Sequence, residues 1–294
     1  MKSPRKIALI TIGVIAIIGF SGGIFAMHQQ SKATKQPRIV ATTYAVVQIA
    51  DRLKLPLVGV PTTSNKMPAR YKAATRIGNP MSPSAEKIAS LHPTAIYSVT
   101  TLKDQFGKSF KQQHLTPHFL NLTSVADLKQ TVQKMGKHYH RQTESRQAVA
   151  QINQTIKQAR RTSNGHAKPR VLVLMGLPGA GYMVETNQSY IGDLVRLAGG
   201  QNVFTSKSQE VIQPSNEAIK KANPQVILRL EHAMPKMVTA QFNSEFKTNT
   251  VWRQTAAVKS QRVYDLQEPD FDATANMHAS TALKRISNWL YPRG

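Results

Sequence analysis

Nine histidines and no cysteine limit the chemistry open to this chain. Without cysteine there is no thiolate ligand, no thiol nucleophile and no disulfide. Most of the histidines read as ordinary side chains. His138 and His140 stand two apart on a helical run and face different ways, and Pro117 breaks the helix that His114 and His118 would need to share. His92 precedes Pro93 as a turn residue, His28 and His166 fall in polar linkers, and His278 belongs to an amphipathic terminal run. A compact zinc or manganese cage is not expected. His232 differs, because it follows an apolar run at 226–230 and precedes Met234-Pro235, the C-terminal edge of a strand where open α/β sheets place ligands. Met81 is comparable: it lies between Asn79-Pro80 and Ser82-Pro83, a stiff loop that is no ordinary core position for a thioether. Loop packing for Met81 and a capping or turn role for His232 stand as the plainer alternatives.

Enzymatic motifs are missing from the sequence. Gly176-Leu177-Pro178-Gly179-Ala180-Gly181 lacks the Gly-Lys-Ser/Thr of a nucleotide-binding loop, and Pro178 removes an amide donor, so a tight turn is expected there. There is no Gly-x-Ser-x-Gly elbow, no His-Glu-x-x-His and no paired catalytic carboxylate motif. The chain is not expected to be an enzyme.

The elements that must position Met81 and His232 alternate along the chain. Short β-rich runs at 39–42, 57–60, 95–99 and 118–122 alternate with helical stretches at 45–53, 85–91 and 125–138, the pattern of a largely parallel sheet covered by helices. From 143 to 161 there is no Gly or Pro, and Val149, Ile152, Ile156 and Ala159 recur at helical spacing, which predicts one long amphipathic helix ending near Asn164-Gly165. Alternation resumes with strands at 170–174, 226–230 and 262–266 and helices at 191–197, 215–222 and 275–290.

An internal repeat sharpens this reading. Pro83-Ser84-Ala85-Glu86-Lys87-Ile88 leads through four residues to Pro93-Thr94-Ala95-Ile96, and Pro214-Ser215-Asn216-Glu217-Ala218-Ile219 leads through four to Pro224-Gln225-Val226-Ile227. The expected unit is a short helix with proline at its first position, a proline turn and a buried strand. One copy on each side of the long helix makes two pseudo-equivalent lobes. The boundaries expected are a basic tail at 1–6, an apolar segment at 7–26, a linker at 27–37, a first α/β lobe at 38–142, a connecting helix at 143–165 and a second α/β lobe at 166–294.

Composition sets the location. Thirty-nine Lys and Arg against 15 Asp and Glu give a formal charge of +24. The basic residues are dispersed, with no Lys/Arg block, zinc-finger spacing or RNA-binding aromatic motif, so nucleic acid is not the expected partner. An anionic membrane or cell-wall surface, or an acidic ligand, fits better. Residues 7–26 carry no charge and follow Lys2, Arg5 and Lys6. At about 1.5 Å per residue they span about 30 Å, enough for a membrane anchor with the N-terminus in the cytoplasm and the rest outside. A cleaved signal peptide is the competing reading, disfavoured by the poor cleavage box Ile24-Phe25-Ala26. Phe20-Ser21-Gly22-Gly23 is shaped like a lipoprotein box with Gly23 in place of the cysteine, so lipidation is not expected.

The run Arg76-Ile77-Gly78-Asn79-Pro80-Met81-Ser82-Pro83, with Ser98-Val99-Thr100-Thr101-Leu102-Lys103, Phe119-Leu120-Asn121-Leu122-Thr123-Ser124 and His232-Ala233-Met234-Pro235, resembles the haem-receptor lipoproteins of the Gram-positive iron-regulated surface determinant system. The similarity runs from Arg38 to the C-terminus. The repeated Pro-Ser-x-Glu unit is typical of a broader group of helical-backbone binding proteins, the BtuF/FhuD-like class III periplasmic binding proteins, which includes cobalamin and siderophore receptors.

The resemblance implies two Rossmann-like α/β lobes joined by a single long backbone helix, with haem carried as transported ligand in the cleft between them. It implies Met81 and His232 as axial ligands on opposite faces of the iron, a pairing that leaves no open site for oxygen and favours carriage over catalysis. Haem propionates need donors, and the backbone amides around Thr42, Thr43 and Tyr44 at a helix start, with Ser64, Asn65 and Lys66 after the second strand, are the candidates. Glu86 and Glu217, matched in the repeat, would dock against arginines of an ABC permease, although a carboxylate in a first helical turn also simply suits the helix dipole. A monomer served by upstream haem-donor surface proteins is the expectation, with a siderophore or cobalamin receptor or a cationic wall-binding adhesion module as the alternatives.

Overall fold

The computed structural model describes residues 36–231 and 234–292, apart from the side chain of Lys108. Segment 7–26 and His232 therefore lie outside the described residues, and among those described no helix is long and apolar enough to cross a membrane. The described residues from 37 onward form one compact unit.

The first lobe is built from β1 (Ile39–Ala41), α1 (Tyr44–Arg52), β2 (Leu57–Val60), β3 (Thr75–Arg76), the hairpin strands β4 (Gly78–Asn79) and β5 (Ser82–Pro83), α2 (Ala85–Ser90), β6 (Ala95–Val99), α3 (Gly107–Gln112), β7 (His118–Leu120) and α4 (Val125–His138). Its main sheet has the order β3-β2-β1-β6-β7, with every pairing parallel. Parallel strands are buried on both faces, and alternate residues serve different cores. Ile39 and Ala41 join the larger core beneath α1 and α4, while Val40 and Ile96 join a smaller one with Ile88 of α2, Phe106 and Phe110.

One helix, α5 (Gln142–Ser163), leads to the second lobe. There follow β8 (Arg170–Leu177), β9 (Gly181–Glu185), α6 (Tyr190–Leu197), β10 (Gln201–Asn202), β11 (Val211–Ile212), α7 (Asn216–Ala222), β12 (Val226–Leu230), α8 (Pro235–Thr248), α9 (Thr250–Gln254), α10 (Ala256–Lys259), β13 (Val263–Leu266) and α11 (Ala279–Leu290). The strand order is β11-β9-β8-β12-β13, with β10 also on β8. Val171, Val173, Val226, Leu228 and Leu230 face the larger core, whereas Leu172, Leu174 and Ile227 face a separate one with Val238, Phe242 and Trp252. The larger core holds residues of both lobes together with Val149, Ile152 and Ala159 of α5, so the connecting helix is packed rather than free.

Three details differ from expectation. The second sheet is mixed: β9 runs antiparallel to β8 and β11 antiparallel to β9. The reversal is made at Pro178–Ala180, where Gly179 takes φ +73° and the Ala180 amide donates to Leu177 O at 3.0 Å. The repeat's proline is not the first helical residue either. Ser84 and Ser215 are the N-caps, each hydroxyl accepting from the amide three residues on, which leaves Pro83 and Pro214 one place outside the helix. The terminal helix begins at Ala279 rather than 275, because Asn276 makes a turn whose side chain accepts from the His278 amide.

Candidate functional site

A cleft of about 590 Å³ opens between the lobes, within the range of small-molecule sites. The first lobe supplies Tyr44, Ser64, Asn65 and Lys66, and the second supplies Glu231, Pro235, Gln267, Glu268, Pro269 and His278. Four of the sequence candidates are thus brought together. They come from the start of α1 and the loop after β2, at the C-terminal edge of the first sheet, where α/β folds place ligands.

The wall is held by specific bonds. Tyr44 donates its hydroxyl to Lys66 O at 2.8 Å, and burial pushes that phenol's pKa up, so it is a neutral donor at ordinary pH. Asn65 Nδ2 reaches across the cleft to Glu268 Oε2 at 2.7 Å. On the far wall Glu231 is almost fully buried at the end of β12 and accepts from Thr239 Oγ1 at 2.5 Å. His278 Nδ1 lies 3.2 Å from Asp270 Oδ1, and Asp270 Oδ2 is 3.0 Å from Arg285 Nη1.

Thr42 and Thr43 are placed differently. Thr42 is wholly buried, its hydroxyl without a partner among the described residues, and the Thr43 hydroxyl caps α1 by accepting from the Val46 amide. Neither lines the cleft.

Met81 sits at the tip of the β4–β5 hairpin, 52 % exposed, its amide donating to Asn79 Oδ1 at 2.9 Å. Gly78 at φ +107° lets the chain turn into this hairpin, and its carbonyl accepts from the Thr62 amide at 2.8 Å, which ties the hairpin base to the loop forming the cleft wall. Met234, at 58 %, and Met237, at 46 %, are exposed at the start of α8 in the second lobe. His232 itself lies outside the described residues, but Glu231 before it and Pro235 after it both line the cleft. Glu86 and Glu217 are exposed in the first turns of α2 and α7. Hydrogen bonds from its own amide and from Ser215 hold the Glu217 carboxyl below the usual range.

Sequence reasoning missed Glu231, Pro235, Gln267, Glu268, Pro269 and His278, the last read as an ordinary residue of an amphipathic run. The strand-edge rule that marked His232 applies equally to the stretch following β13, but it does not say which of those residues face the first lobe.

Beyond the cleft, further bonds join the lobes. Asp193 Oδ2 accepts from the Val125 amide at 2.9 Å, Gln48 Oε1 accepts from the Met277 amide at 3.0 Å, and the Ala275 amide donates to Leu122 O at 2.7 Å. Together with α5 they restrict how far the cleft can open.

Residues 39–269 match the family model described as periplasmic binding protein. The chain is 38 % identical over 291 residues, 98 % of both chains, to the high-affinity heme uptake system protein IsdE of Staphylococcus aureus. The crystal structure of S. aureus IsdE complexed with heme superposes with a TM-score of 0.83 at 37 % identity, covering 87 % of this chain and all of the other. An ABC transporter substrate-binding protein from Listeria monocytogenes gives 0.82 at 41 % identity, covering 88 % of this chain and all of the other. With two α/β lobes, one connecting helix and a cleft between them, the chain belongs to the periplasmic binding protein family and, within it, to the family of IsdE.

Proposed function

We propose that this chain is the extracellular, membrane-associated substrate-binding protein of an ABC importer, and that it carries haem in the cleft between its lobes. The observation that carries this reading is the interlobe cleft of about 590 Å³ in a chain 38 % identical to a heme uptake protein across 98 % of its length. It is a carrier and not an enzyme.

Within that reading, Met81 and His232 are the axial iron ligands. An exposed thioether on a braced hairpin tip and the cleft-lining neighbours of His232 support the pair. Tyr44, Ser64, Asn65 and Lys66 are the propionate wall, with Lys66 the cation among them. Of the amides at the start of α1, that of Thr42 is spent on Tyr97 O at 3.0 Å, and those of Thr43 and Tyr44 are kept in that role. Glu86 and Glu217 are the permease-docking carboxylates, one on each lobe at matched places. Segment 7–26 is an uncleaved anchor in place of a lipid, the folded part begins near Arg38 after the linker, and the carrier works as a monomer fed by surface haem donors close to an anionic membrane or wall.

The test is an absorption titration with haemin. The chain from residue 32 onward should bind one haem with a shifted Soret band. His232→Ala should weaken binding more than Met81→Ala, since imidazole is the stronger iron donor, and Met81→Ala should leave a bound, high-spin spectrum. No Soret shift would overturn the haem assignment; unchanged spectra in both variants would place the iron elsewhere. In the same protein, Glu86→Lys with Glu217→Lys should leave the titration intact and abolish stimulation of the permease ATPase. Normal stimulation would remove both residues from docking.

A further inference from the structure

A second depression, of about 510 Å³, lies where α4, α5 and α6 meet. Its floor is apolar, from Val125, Ile156 and Leu197, and basic residues from all three helices line it: Lys129 of α4, Lys157 and Arg160 of α5, and Arg196 of α6. Asp193 is the acidic residue among the lining groups, and it is already committed to Arg196 and to the Val125 amide. Lys129 Nζ donates to the neutral Asn153 Oδ1 at 2.9 Å, which leaves its charge uncompensated. Neither Lys157 nor Arg160 has an ion-pair partner among the described residues.

Dispersed surface lysines on a basic protein ordinarily stand apart on convex faces. Here three uncompensated cations, from α4 and α5, line one hollow beside the paired Arg196 of α6, and their repulsion costs stability that an anion would relieve. The hollow is unrelated to the cleft lining, and the carriage of haem does not use it.

We propose that this groove binds the phosphate groups of an extended phosphodiester polymer. A single flexible chain can enter a hollow and meet cations on several sides, whereas a flat bilayer surface meets groups that project. Chain phosphates also carry condensed counterions whose release drives binding to several cations at once. The groove would hold the carrier beside an anionic polymer of the cell envelope while the cleft stays open to its ligand. Because Val125 and Asp193 link the lobes at this same place, the bound polymer would rest against the joint between them.

The test uses the full chain in neutral detergent and fluorescently labelled linear polyphosphate as probe, with orthophosphate and vesicles rich in phosphatidylglycerol as the other arms. Lys157→Gln with Arg160→Gln, both exposed and free of structural bonds, should weaken polyphosphate binding about tenfold and lower the slope of log K against log salt by about two. Lys220→Gln with Lys221→Gln on α7 removes the same charge elsewhere and should leave both quantities nearly unchanged. Equal loss in the two double variants would mean that net charge, not this groove, attracts the polymer, and would overturn the proposal. So would absence of polyphosphate binding, or binding to vesicles or orthophosphate that the groove variants abolish while polyphosphate binding persists.

Discussion

The two lobes share a structural unit and differ in what is attached to its ends. In the first lobe, α2 leads through His92-Pro93 into β6, which lies between β1 and β7; in the second, α7 leads through Asn223-Pro224 into β12, between β8 and β13. Both turns place a left-handed residue at the matched position, His92 at φ 43° and Asn223 at φ 37°. Ile88 and Ile219 occupy the same place in the repeat and are both fully buried beneath the outer face of their sheets. The candidate iron ligands do not share this symmetry. Met81 lies before the repeated helix, on a hairpin, whereas the second lobe has β11 in the corresponding stretch. His232 comes after the repeated strand, whereas the first lobe has the turn 100–106 there. The repeat therefore carries the architecture, and the proposed ligands fall on the connections that diverge between the lobes.

The largest effect that tests this symmetry is on stability. Ile88→Ala and Ile219→Ala each remove three buried carbons' worth of packing at a matched position, and each should cost about 2 to 5 kcal/mol. Because the two side chains belong to separate outer cores, the double variant should lose the sum of the two to within about 0.5 kcal/mol. Urea midpoints read out both quantities. A loss below about 1 kcal/mol at one site alone would break the equivalence of the lobes.

The same symmetry explains what was legible in the sequence. Apolar runs at 57–60, 95–99 and 226–230 could be assigned to strands because parallel strands are buried on both faces and need no polar alternation. The long helix was legible because Val149, Ile152 and Ala159 bury one stripe while Gln, Arg and Lys cover the other. The antiparallel β9 and β11 were not, since strand direction is decided by the partner across the sheet and leaves no local mark. Half of the cleft was legible for a similar reason: Ser64, Asn65 and Lys66 follow a strand in an exposed loop, but Glu268 reaches the cleft only because β13 pairs with β12 and brings the end of the second sheet opposite Asn65. A contact 203 residues apart has no signature in either segment alone.

The helix caps give a smaller and finer comparison. Ser84 accepts from the Lys87 amide at 3.2 Å and Ser215 from the Ala218 amide at 3.2 Å, so the two caps are geometrically alike. Ser84→Ala and Ser215→Ala should each cost about 1 kcal/mol, the usual loss when a capping hydroxyl is removed. At neutral pH the second should cost slightly more, because the Ser215 hydroxyl also helps to hold the Glu217 carboxyl below its ordinary value. A larger loss for Ser84→Ala in urea titrations would reverse the ranking and remove the carboxylate from the account.

The smallest effect is the pH dependence of that excess. Glu217 is exposed, and its carboxyl is held below its ordinary value first by its own backbone amide and second by the Ser215 hydroxyl. A carboxyl whose pKa is depressed in the folded state binds fewer protons there than in the unfolded chain, so its stabilising contribution is complete above the unfolded pKa, about 4.3. That contribution is lost as pH falls through the lower folded value. Ser215→Ala removes the second of the two causes and lets the folded pKa rise toward normal, so its excess cost over Ser84→Ala should be present at pH 7 and vanish in acid. Glu217→Gln should abolish the pH-dependent part in either background, and added salt should shrink it, since an exposed charge is readily screened. The measurement is the difference between the urea midpoints of the two serine variants from neutral pH to well below the carboxylate range. A difference that stays constant across that span would show the caps to be equivalent in both lobes and the Glu217 contact to be without energetic consequence.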